Sequence, residues 1–271
     1  MNRLSLATWN INSVRLRIDR VIGFLKREKP DVLCLQEIKC LEDQFPRKAF
    51  EAAGYKHIHL SGQKGMHGVA IVSKVEMENL ETPGLCKHGH ARCAAAKVAG
   101  FEVHNLYVPA GADIPDPAVN EKFAHKLDFI ERMRGFYQTR AAKRSAAPLL
   151  VAGDINIAPE ENDVWSHKQL LDVVSHTPVE TDGLKRILAD GKLTDIARAK
   201  HRPEEKLYTW WSYRAADWRL SNRGRRLDHW WADKRAAPLV DVGSYRIFVD
   251  ERGGEKPSDH VPVMVSVTAA A

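Results

Sequence analysis

Polar side chains recur where short apolar runs of the sequence end. The run "PLLVAG" leads into Asp154 and Asn156, and "LSLATW" is followed by Asn10 and Asn12. Glu37 follows a third run, "DVLCLQ". Carboxylate and amide oxygens are the ligands that Mg²⁺ or Mn²⁺ prefers, and such an ion neutralises the negative charge that develops on a reacting phosphate. This set of residues therefore predicts a phosphodiester target.

Further residues could supply the proton transfers of such a reaction. Asp154 could accept a proton from the attacking water, while Asn156 holds that water in line. His260, kept in one tautomer by Asp228, could donate a hydrogen bond to a phosphate oxygen. Tyr107, at the end of "HNLY", could add a second donor. Together they predict a general acid–base site.

Each of these residues also has an ordinary structural explanation when it is taken alone. The alternatives are turn formation by Asn10 and Asn12, pairing of Glu37 with Lys39, capping of a turn by Asp154, neutralisation of Arg226 by Asp228, and a structural role for His260. If all of these structural explanations held, polar residues would have to occur independently at the end of every strand. One shared site is therefore the preferred prediction.

The elements that must position these residues alternate between strands and helices. "LSLATW" and "DVLCLQ" are predicted strands, and between them Ile18, Val21, Ile22 and Leu25 follow helical spacing. Further strands are predicted at "GVAIVS", "FEVHNLYV", "PLLVAG" and "HVPVMVSV", with a second amphipathic helix at 123–134 and shorter helices at "QLLDVVS" and "GLKRILADG". This order predicts a layered α/β protein, a class in which ligand sites gather at strand ends.

Length and composition narrow the class of protein. The 271 residues are predicted to form a single domain, 1–271, because no linker, repeat or low-complexity tract divides them. No apolar run approaches the ~18 residues that a membrane span needs, and the N-terminus lacks the features of a signal peptide. We therefore expect no membrane partner and a cytoplasmic location, associated with the nucleoid if the source is bacterial.

The cysteines and histidines show one local cluster. "CKHGHARC" places Cys86, His88, His90 and Cys93 within eight residues. Zinc sites usually take their ligands from two separated segments, which this window does not provide. We interpret it as an exposed loop, with adventitious metal binding as the lesser alternative, and expect free thiols.

Positive charge and tryptophan concentrate in one stretch. The net charge is +6, and residues 208–231 hold five of the seven tryptophans and five arginines against two aspartates. A basic stretch with interleaved aromatic side chains favours a polyanionic partner.

Seven motifs resemble those of a known family. In order, they are "WNINSVR", "LQEIK", "NLYVP", "GDINIAP", "YTWWSYR", "GRRLDHWWAD" and "SDHVPV". The series is similar to that of exonuclease III-type abasic-site (AP) endonucleases of the endonuclease/exonuclease/phosphatase superfamily, and it runs from residue 6 to residue 265. The resemblance implies a four-layer α/β sandwich, in which two packed mixed β-sheets are flanked by helices (DNase I-like).

The resemblance also implies a role for each candidate residue. Glu37 would be the principal ligand of Mg²⁺ (or Mn²⁺), with Asn10, Asn12 and Asp259 beside it. The catalytic residues would be Tyr107, Asp154, Asn156, Asp228 and His260. Tyr107 and His260 would contact the phosphate, Asp154 would activate or position the water, and Asp228 would orient His260.

The basic, tryptophan-rich stretch would then lie along DNA. Trp210 and Leu227 match positions that line the pocket for an extrahelical abasic sugar, whereas Arg225 stands where relatives commonly have an apolar or aromatic residue. Arg15, Lys39 and Arg92 are predicted phosphate contacts, with solvated surface charge as the alternative. For Trp211, Trp230 and Trp231, core packing is expected of two of the three. The loop "PAGADIPDP" also departs from the basic, amide-rich loop of many relatives.

The function implied is a divalent-metal-dependent DNA-repair nuclease that cuts 5′ to abasic sites, with 3′→5′ exonuclease and 3′-end trimming activity. Its partner would be double-stranded DNA with abasic or damaged sites, bound by a monomer. Two alternatives remain at this point: a superfamily phosphatase or phosphodiesterase acting on other phosphoesters, and a DNA-binding protein with a weakened site.

Overall fold

Two six-stranded β-sheets form the centre of the protein, in a computed structural model that describes residues 3–143 and 146–269. The strands are β1 (Arg3–Asn10), β2 (Val32–Gln36), β3 (His57–Ser61), β4 (Val69–Ser73), β5 (Met77–Leu80), β6 (Cys93–Val98), β7 (Phe101–Tyr107), β8 (Leu149–Asp154), β9 (Leu193–Asp195), β10 (Trp210–Trp211), β11 (Gly224–Arg225), β12 (Asp228–Asp233), β13 (Val240–Ile247) and β14 (Val263–Thr268). The helices are α1 (Ile18–Glu28), α2 (Arg47–Ala52), α3 (Glu121–Ala142), α4 (His167–Leu170), α5 (Pro178–Gly191), α6 (Ile196–Lys200) and α7 (Trp218–Ser221).

Both sheets are mixed. The first has the order β13-β14-β1-β2-β4-β3 and the second the order β5-β6-β7-β8-β12-β9, while β10 and β11 form a separate short ribbon. In each sheet one central pair is parallel, β1 with β2 and β7 with β8, and the other pairs are antiparallel. Parallel strands need a long crossover connection. Helix α1 lies in the connection from β1 to β2, and α3 lies in the connection from β7 to β8.

The main core lies between the two sheets. Leu6 and Ile71 of the first sheet pack in one cluster with Val103, Leu150 and Trp230 of the second, and all five are fully buried. Burying a large apolar side chain stabilises a fold by about 1.5–3 kcal/mol, so this interface holds the sheets face to face.

Helices cover the outer faces of both sheets. Phe24 of α1 packs with Trp9 and Leu33 on the first sheet, and α3 and α5 pack together on the second, where Phe129 and Ile187 share a cluster with residues of β7, β8 and β12. The layers are therefore helix, sheet, sheet, helix. The predicted four-layer α/β sandwich is confirmed.

Most of the predicted elements are present. The six predicted strands correspond to β1, β2, β4, β7, β8 and β14, and "GLKRILADG" lies within α5. The second helix is longer than predicted, since α3 runs from Glu121 to Ala142. The helix predicted at "QLLDVVS" is wrong beyond Leu170, where turns follow α4. Trp211, Trp230 and Trp231 are all buried, one more than expected. No helix among the described residues is long and apolar enough to cross a membrane.

Candidate active site

Three neighbouring strands of the second sheet carry polar side chains at the same level. Asp154 at the end of β8 lies opposite Tyr107 of β7 and opposite Asp228 of β12. Gly153 permits this close pairing: its φ is +135°, and a Cβ atom there would come within 1.9 Å of the Leu106 carbonyl oxygen. Only glycine fits at this position, which explains the glycine in "GDIN".

The first sheet brings its own polar residues to the same place. Asn10 ends β1 opposite the last residue of β2, so that Glu37 follows directly beside it. Because β14 runs antiparallel to β1, the segment before it also reaches this edge. The Ser258 hydroxyl donates to the Asn10 carbonyl at 2.7 Å, and the Trp9 indole donates to the His260 carbonyl at 3.1 Å. These bonds fix the segment that contains Asp259 and His260.

Direct hydrogen bonds join the polar ends of the two sheets. The Asn10 amide donates to Glu37 Oε1 at 3.0 Å and to Asp154 Oδ2 at 2.9 Å. The Tyr107 hydroxyl donates to the same Glu37 Oε1 at 2.8 Å. Asn10 thus presents its NH₂ group, not its carbonyl, to the two carboxylates, and ligation of a metal by its oxygen stays a prediction.

A chain of polar groups extends from Glu37 to Asp259. Lys39 Nζ lies 2.8 Å from Glu37 Oε2 and donates to Asn12 Oδ1 at 2.7 Å. The Asn12 amide donates to Asp259 Oδ1 at 3.0 Å, and the Trp210 indole donates to Asp259 Oδ2 at 2.9 Å. Burial opposes the ionisation of Glu37, but Lys39 and the Asn10 amide outweigh it and lower its pKa. Asn12, Glu37 and Lys39 all have positive φ values, 48°, 51° and 52°. A strained backbone is common at functional sites.

His260 and Asp228 form a buried ion pair. His260 Nδ1 lies 2.8 Å from Asp228 Oδ2, and the other ring nitrogen, Nε2, is 3.7 Å from Asp154 Oδ2. Burial alone would lower the pKa of His260, but Asp228 and Asp154 outweigh it and raise the pKa to about 10. His260 is therefore protonated at neutral pH. Thr209 Oγ1 also donates to Asp228 Oδ2, at 2.7 Å, and so orients the carboxylate.

Asp154 combines deep burial with a perturbed pKa. Burial, together with the charges of Asp228 and Glu37, raises the pKa of Asp154 to about 7 although His260 and Asn10 oppose the shift. Its Oδ1 accepts a hydrogen bond from the Asn156 backbone N–H at 2.9 Å, and its Oδ2 accepts from the Asn156 side chain at 3.1 Å. A carboxyl group with a pKa near neutrality suits a general base.

Within this site, two sets of the described side chains could hold a metal ion. Asp154, Asp228 and His260 place ligand atoms within 4.8 Å of one another. However, His260 Nδ1 and Asp228 Oδ2 already bind each other at 2.8 Å, so two members of this set are paired. The hard oxygens around Glu37 fit Mg²⁺ or Mn²⁺ better. There the Lys39 ammonium already lies between oxygens of Glu37 and Asn12, which shows that the site accommodates a positive charge.

A cleft of about 740 Å³ opens above these residues. Its lining includes Glu37, Tyr107, Asp154, Asn156, Asp259 and His260, together with Trp210, Arg225 and Leu227. The Arg225 guanidinium stacks on the Trp210 ring, with Cζ 5.3 Å from its centroid, and Nη1 donates to the Val174 carbonyl at 2.9 Å and to Ser175 Oγ at 2.7 Å. Arg225 thus forms one wall of the cleft and makes it part polar.

The other predicted DNA contacts differ in their surroundings. Arg15 is exposed, and Lys39 is half-buried in the site itself. Arg92 is only 5% exposed; its guanidinium lies 4.8 Å over the Tyr107 ring and donates to the Tyr107 carbonyl. Arg92 therefore supports Tyr107 from behind, and its contact with phosphate stays a prediction that this burial does not favour.

Some supporting residues were not found from the sequence. Thr209 has no spacing signal that sets it apart from other residues of "YTWW". Lys126 and Glu180 form a fully buried ion pair at 2.5 Å, and Lys126 Nζ also donates to the Asn156 carbonyl at 2.8 Å. No local pattern marks Lys126, because it lies on a helix whose other buried residues are mostly apolar.

Arg226 does not pair with Asp228, which was the structural alternative for that aspartate. Arg226 is fully buried and pairs with Asp163 at 2.8 Å and with Asp195 at 2.7 Å. Asp228 is consequently left for His260. The pairing of Glu37 with Lys39 is present, within the site rather than on a solvated loop.

Comparison with known proteins identifies the family to which the chain belongs. A model of the Endonuclease/Exonuclease/phosphatase family matches residues 7–260. Exodeoxyribonuclease III of Haemophilus influenzae is 31% identical over 96% of this chain and 98% of its own length.

Solved structures agree in fold and in length. An AP endonuclease from Archaeoglobus fulgidus superposes with a TM-score of 0.87 at 35% identity, covering 97% of this chain and 98% of that one. A 3′ phosphatase from Neisseria, bound to a product DNA hairpin, superposes with a TM-score of 0.86 at 32% identity over 98% and 99% of the two chains.

Proposed function

Because the chain belongs to the endonuclease/exonuclease/phosphatase family, in its group of exonuclease III-type abasic-site endonucleases, we propose that it is a DNA-repair nuclease that hydrolyses phosphodiesters 5′ to abasic sites. The same site would remove nucleotides in the 3′→5′ direction and trim blocked 3′ ends. The observation that carries the proposal is the meeting of Glu37, Asp154 and His260 in one cleft, although each comes from a different strand end.

The cofactor we propose is Mg²⁺, with Mn²⁺ as a substitute. Glu37 would hold the ion. Oxygen atoms of Asn12 and Asp259 belong to the same hydrogen-bonded chain as Glu37 and could also contribute. When bound, the ion would supply Lewis-acid stabilisation of the phosphate charge. The hard oxygen donors and the ammonium between them support this choice.

The protein groups divide the remaining work. Asp154 would accept the proton of the attacking water, which Asn156 holds in line through its side chain. His260, protonated and fixed at Nδ1 by Asp228, would donate from Nε2 to a phosphate oxygen. The Tyr107 hydroxyl donates to Glu37 Oε1 at 2.8 Å in the free protein and would turn its proton to the same phosphate when substrate binds.

The side of the cleft around Trp210 would receive the damaged nucleotide. Trp210 and Leu227 give it apolar surface, which an abasic sugar can contact after leaving the helix. The Arg225 guanidinium adds a donor that suits a phosphate, including a terminal 3′ phosphate. We propose that a monomer binds the damaged duplex.

The test is a cleavage assay on end-labelled duplexes. One carries a single abasic site, one a nick with a 3′ phosphate, and an undamaged duplex of the same sequence is the control. We expect incision beside the abasic site and phosphate release at the nick, both with Mg²⁺ and neither with excess chelator. Cleavage that continues in chelator would refute the mechanism, and phosphate release from inositol polyphosphates but not DNA would favour the superfamily's phosphatase branch. Binding of the abasic duplex without cleavage would indicate a weakened site.

A further inference from the structure

A cluster of soft metal ligands lies outside the active-site cleft. Cys86, His90 and His125 each place a ligand atom so that all three atoms lie within 4.8 Å of one another. None of them lines the cleft described above. We propose that Cys86, His90 and His125 form a binding site for a zinc-class cation, distinct from the catalytic centre.

The structure supplies the second segment that the local sequence lacks. Cys86 and His90 lie in the loop between β5 and β6, whereas His125 projects from α3, 39 residues after Cys86. Zinc sites commonly combine ligands from two such segments. The fold therefore changes the interpretation of "CKHGHARC" from an ordinary loop to half of a binding site.

The distances suit a tetrahedral ion. With Zn–S near 2.3 Å and Zn–N near 2.0–2.1 Å, neighbouring ligand atoms are about 3.3–3.6 Å apart. Cys86 Sγ lies 3.3 Å from His125 Nε2, which already matches one edge of the tetrahedron. The His90 nitrogen lies within 4.8 Å of both other ligand atoms, so a small side-chain movement would complete the set. Thiolate and imidazole are ligands that select zinc over magnesium.

The ligands are held in place by ordinary packing. His125 is only 6% exposed and follows Phe123, which is fully buried in α3. The loop is anchored by Leu85, which is 2% exposed. At its tip Gly89 has a φ of +67°, and its N–H donates to the Cys86 carbonyl at 3.1 Å in a tight turn. A cation would therefore bind without a large ordering cost.

The histidine nitrogens are available as ligands. Nδ1 of His90 is buried and has no hydrogen-bond partner among the described residues. His125 Nε2 faces Cys86 Sγ at 3.3 Å, where the ion would bind. The charge of the nearby Arg92 would repel an added cation, and the negative thiolate of Cys86 would offset this repulsion on binding. Water would supply the fourth ligand, or His88 after a side-chain rotation, since its ring centroid is 4.4 Å from that of His125.

The cluster is connected to the active site through stacked rings. His90 stacks on His67 at 4.8 Å, and His67 lies 5.9 Å from Tyr107. A bound ion would fix the His90 ring and, through His67, one side of the Tyr107 pocket. The site would then influence the nuclease centre without contacting substrate.

Cobalt provides a direct test. Metal-free protein is titrated with Co²⁺ and followed by absorption. We expect one equivalent to give a thiolate-to-cobalt charge-transfer band and tetrahedral visible bands, which Zn²⁺ removes and excess Mg²⁺ does not. Oxygen ligands around Glu37 cannot produce a thiolate band, so the two sites are distinguishable.

Two ligand variants and one matched control decide the assignment. Cys86→Ser should abolish the thiolate band, and His125→Gln should weaken Zn²⁺ binding by more than the about 10–100-fold that loss of an outer partner costs. His57→Gln, which removes a histidine outside the cluster, should bind like wild type. Circular dichroism checks that each variant folds. No thiolate band in the folded wild type, or the same band and affinity in both ligand variants, would overturn the proposal and leave Cys86 and His125 as a simple hydrogen-bonded pair.

Discussion

The substitution Asp228→Asn isolates the role of the buried histidine pair. It removes the charge that faces His260 Nδ1 at 2.8 Å while keeping the size of the side chain. Both groups are almost completely buried. Removing one partner of a buried ion pair typically costs about 3–5 kcal/mol, because the other charge remains without compensation. We expect a loss of this size in the free energy of unfolding at pH 6.

The loss should depend on pH in a defined direction. The pKa of His260 is raised from 6.5 to about 10 in the folded protein, so the stability that its charge provides is fully present below pH 6.5 and is lost as the pH rises through about 10. Above that pH neutral His260 keeps only a hydrogen bond to the Asp228 carboxylate, worth about 1.5–3 kcal/mol. The difference between wild type and Asp228→Asn should therefore shrink as the pH rises.

Urea unfolding and cleavage kinetics are the assays. Unfolding is measured in chelator at several pH values between 6 and 10, and the titration of His260 is followed by NMR. With Mg²⁺, cleavage of the abasic duplex should fall by about 10²–10⁴-fold, because His260 loses both charge and orientation. Asp241→Asn is the matched control, since Asp241 is half exposed in a surface pair with Arg3 and should change stability by less than about 0.5 kcal/mol.

Two results would refute this reasoning. One is a His260 pKa that stays near its wild-type value in Asp228→Asn, which would mean that Asp154 alone sustains the charge. The other is wild-type cleavage by a folded Asp228→Asn protein, which would remove the pair from the mechanism.

Three further predictions concern the cleft. Asp154→Asn should lower cleavage by about 10²–10⁴-fold while duplex binding persists, and unchanged cleavage would contradict the assignment. Since burial raises the pKa of Asp154 from 3.8 to about 7, the free-energy cost of ionising it grows as the pH rises from 3.8 and is complete above about 7, so the variant in chelator should be more stable than wild type at pH 8. Arg225→Ala should weaken duplex binding in gel-shift assays and reduce the slope of log affinity against log salt by about 1; an unchanged slope would mean that Arg225 contacts no phosphate. Glu37→Gln should raise the Mg²⁺ concentration for half-maximal cleavage by about tenfold or more, since a bond to a charged group is worth about 1.5–3 kcal/mol; an unchanged requirement would place the ion elsewhere.

The sequence predicted those strands whose apolar residues form continuous or alternating runs. β8 is buried throughout, and its run ends at the site. By contrast, β3 and β5 were missed because most of their residues are half-buried or exposed and their sequences, "HIHLS" and "MENL", lack a clear pattern. Edge strands such as these owe their conformation to a neighbouring strand more than to their own residues.

The residues of the site were predictable as a group, but their partners were not. Strand ends can be located from sequence, whereas the partner of each side chain depends on residues far along the chain. Arg226 pairs with Asp163 and Asp195, and only this leaves Asp228 for His260. No local pattern indicates that choice. For the same reason, the sequence did not indicate that His125 lies beside the loop that contains Cys86 and His90.

Anomalous diffraction from crystals grown with Mn²⁺ and product DNA would locate the metal ion and the phosphate in the cleft together. We predict an anomalous peak at coordinating distance from a Glu37 carboxylate oxygen, with the 5′ phosphate of the product within hydrogen-bond reach of His260 Nε2 and the Tyr107 hydroxyl. A phosphate bound away from His260, or a manganese peak between Asp154 and Asp228 with none beside Glu37, would contradict it.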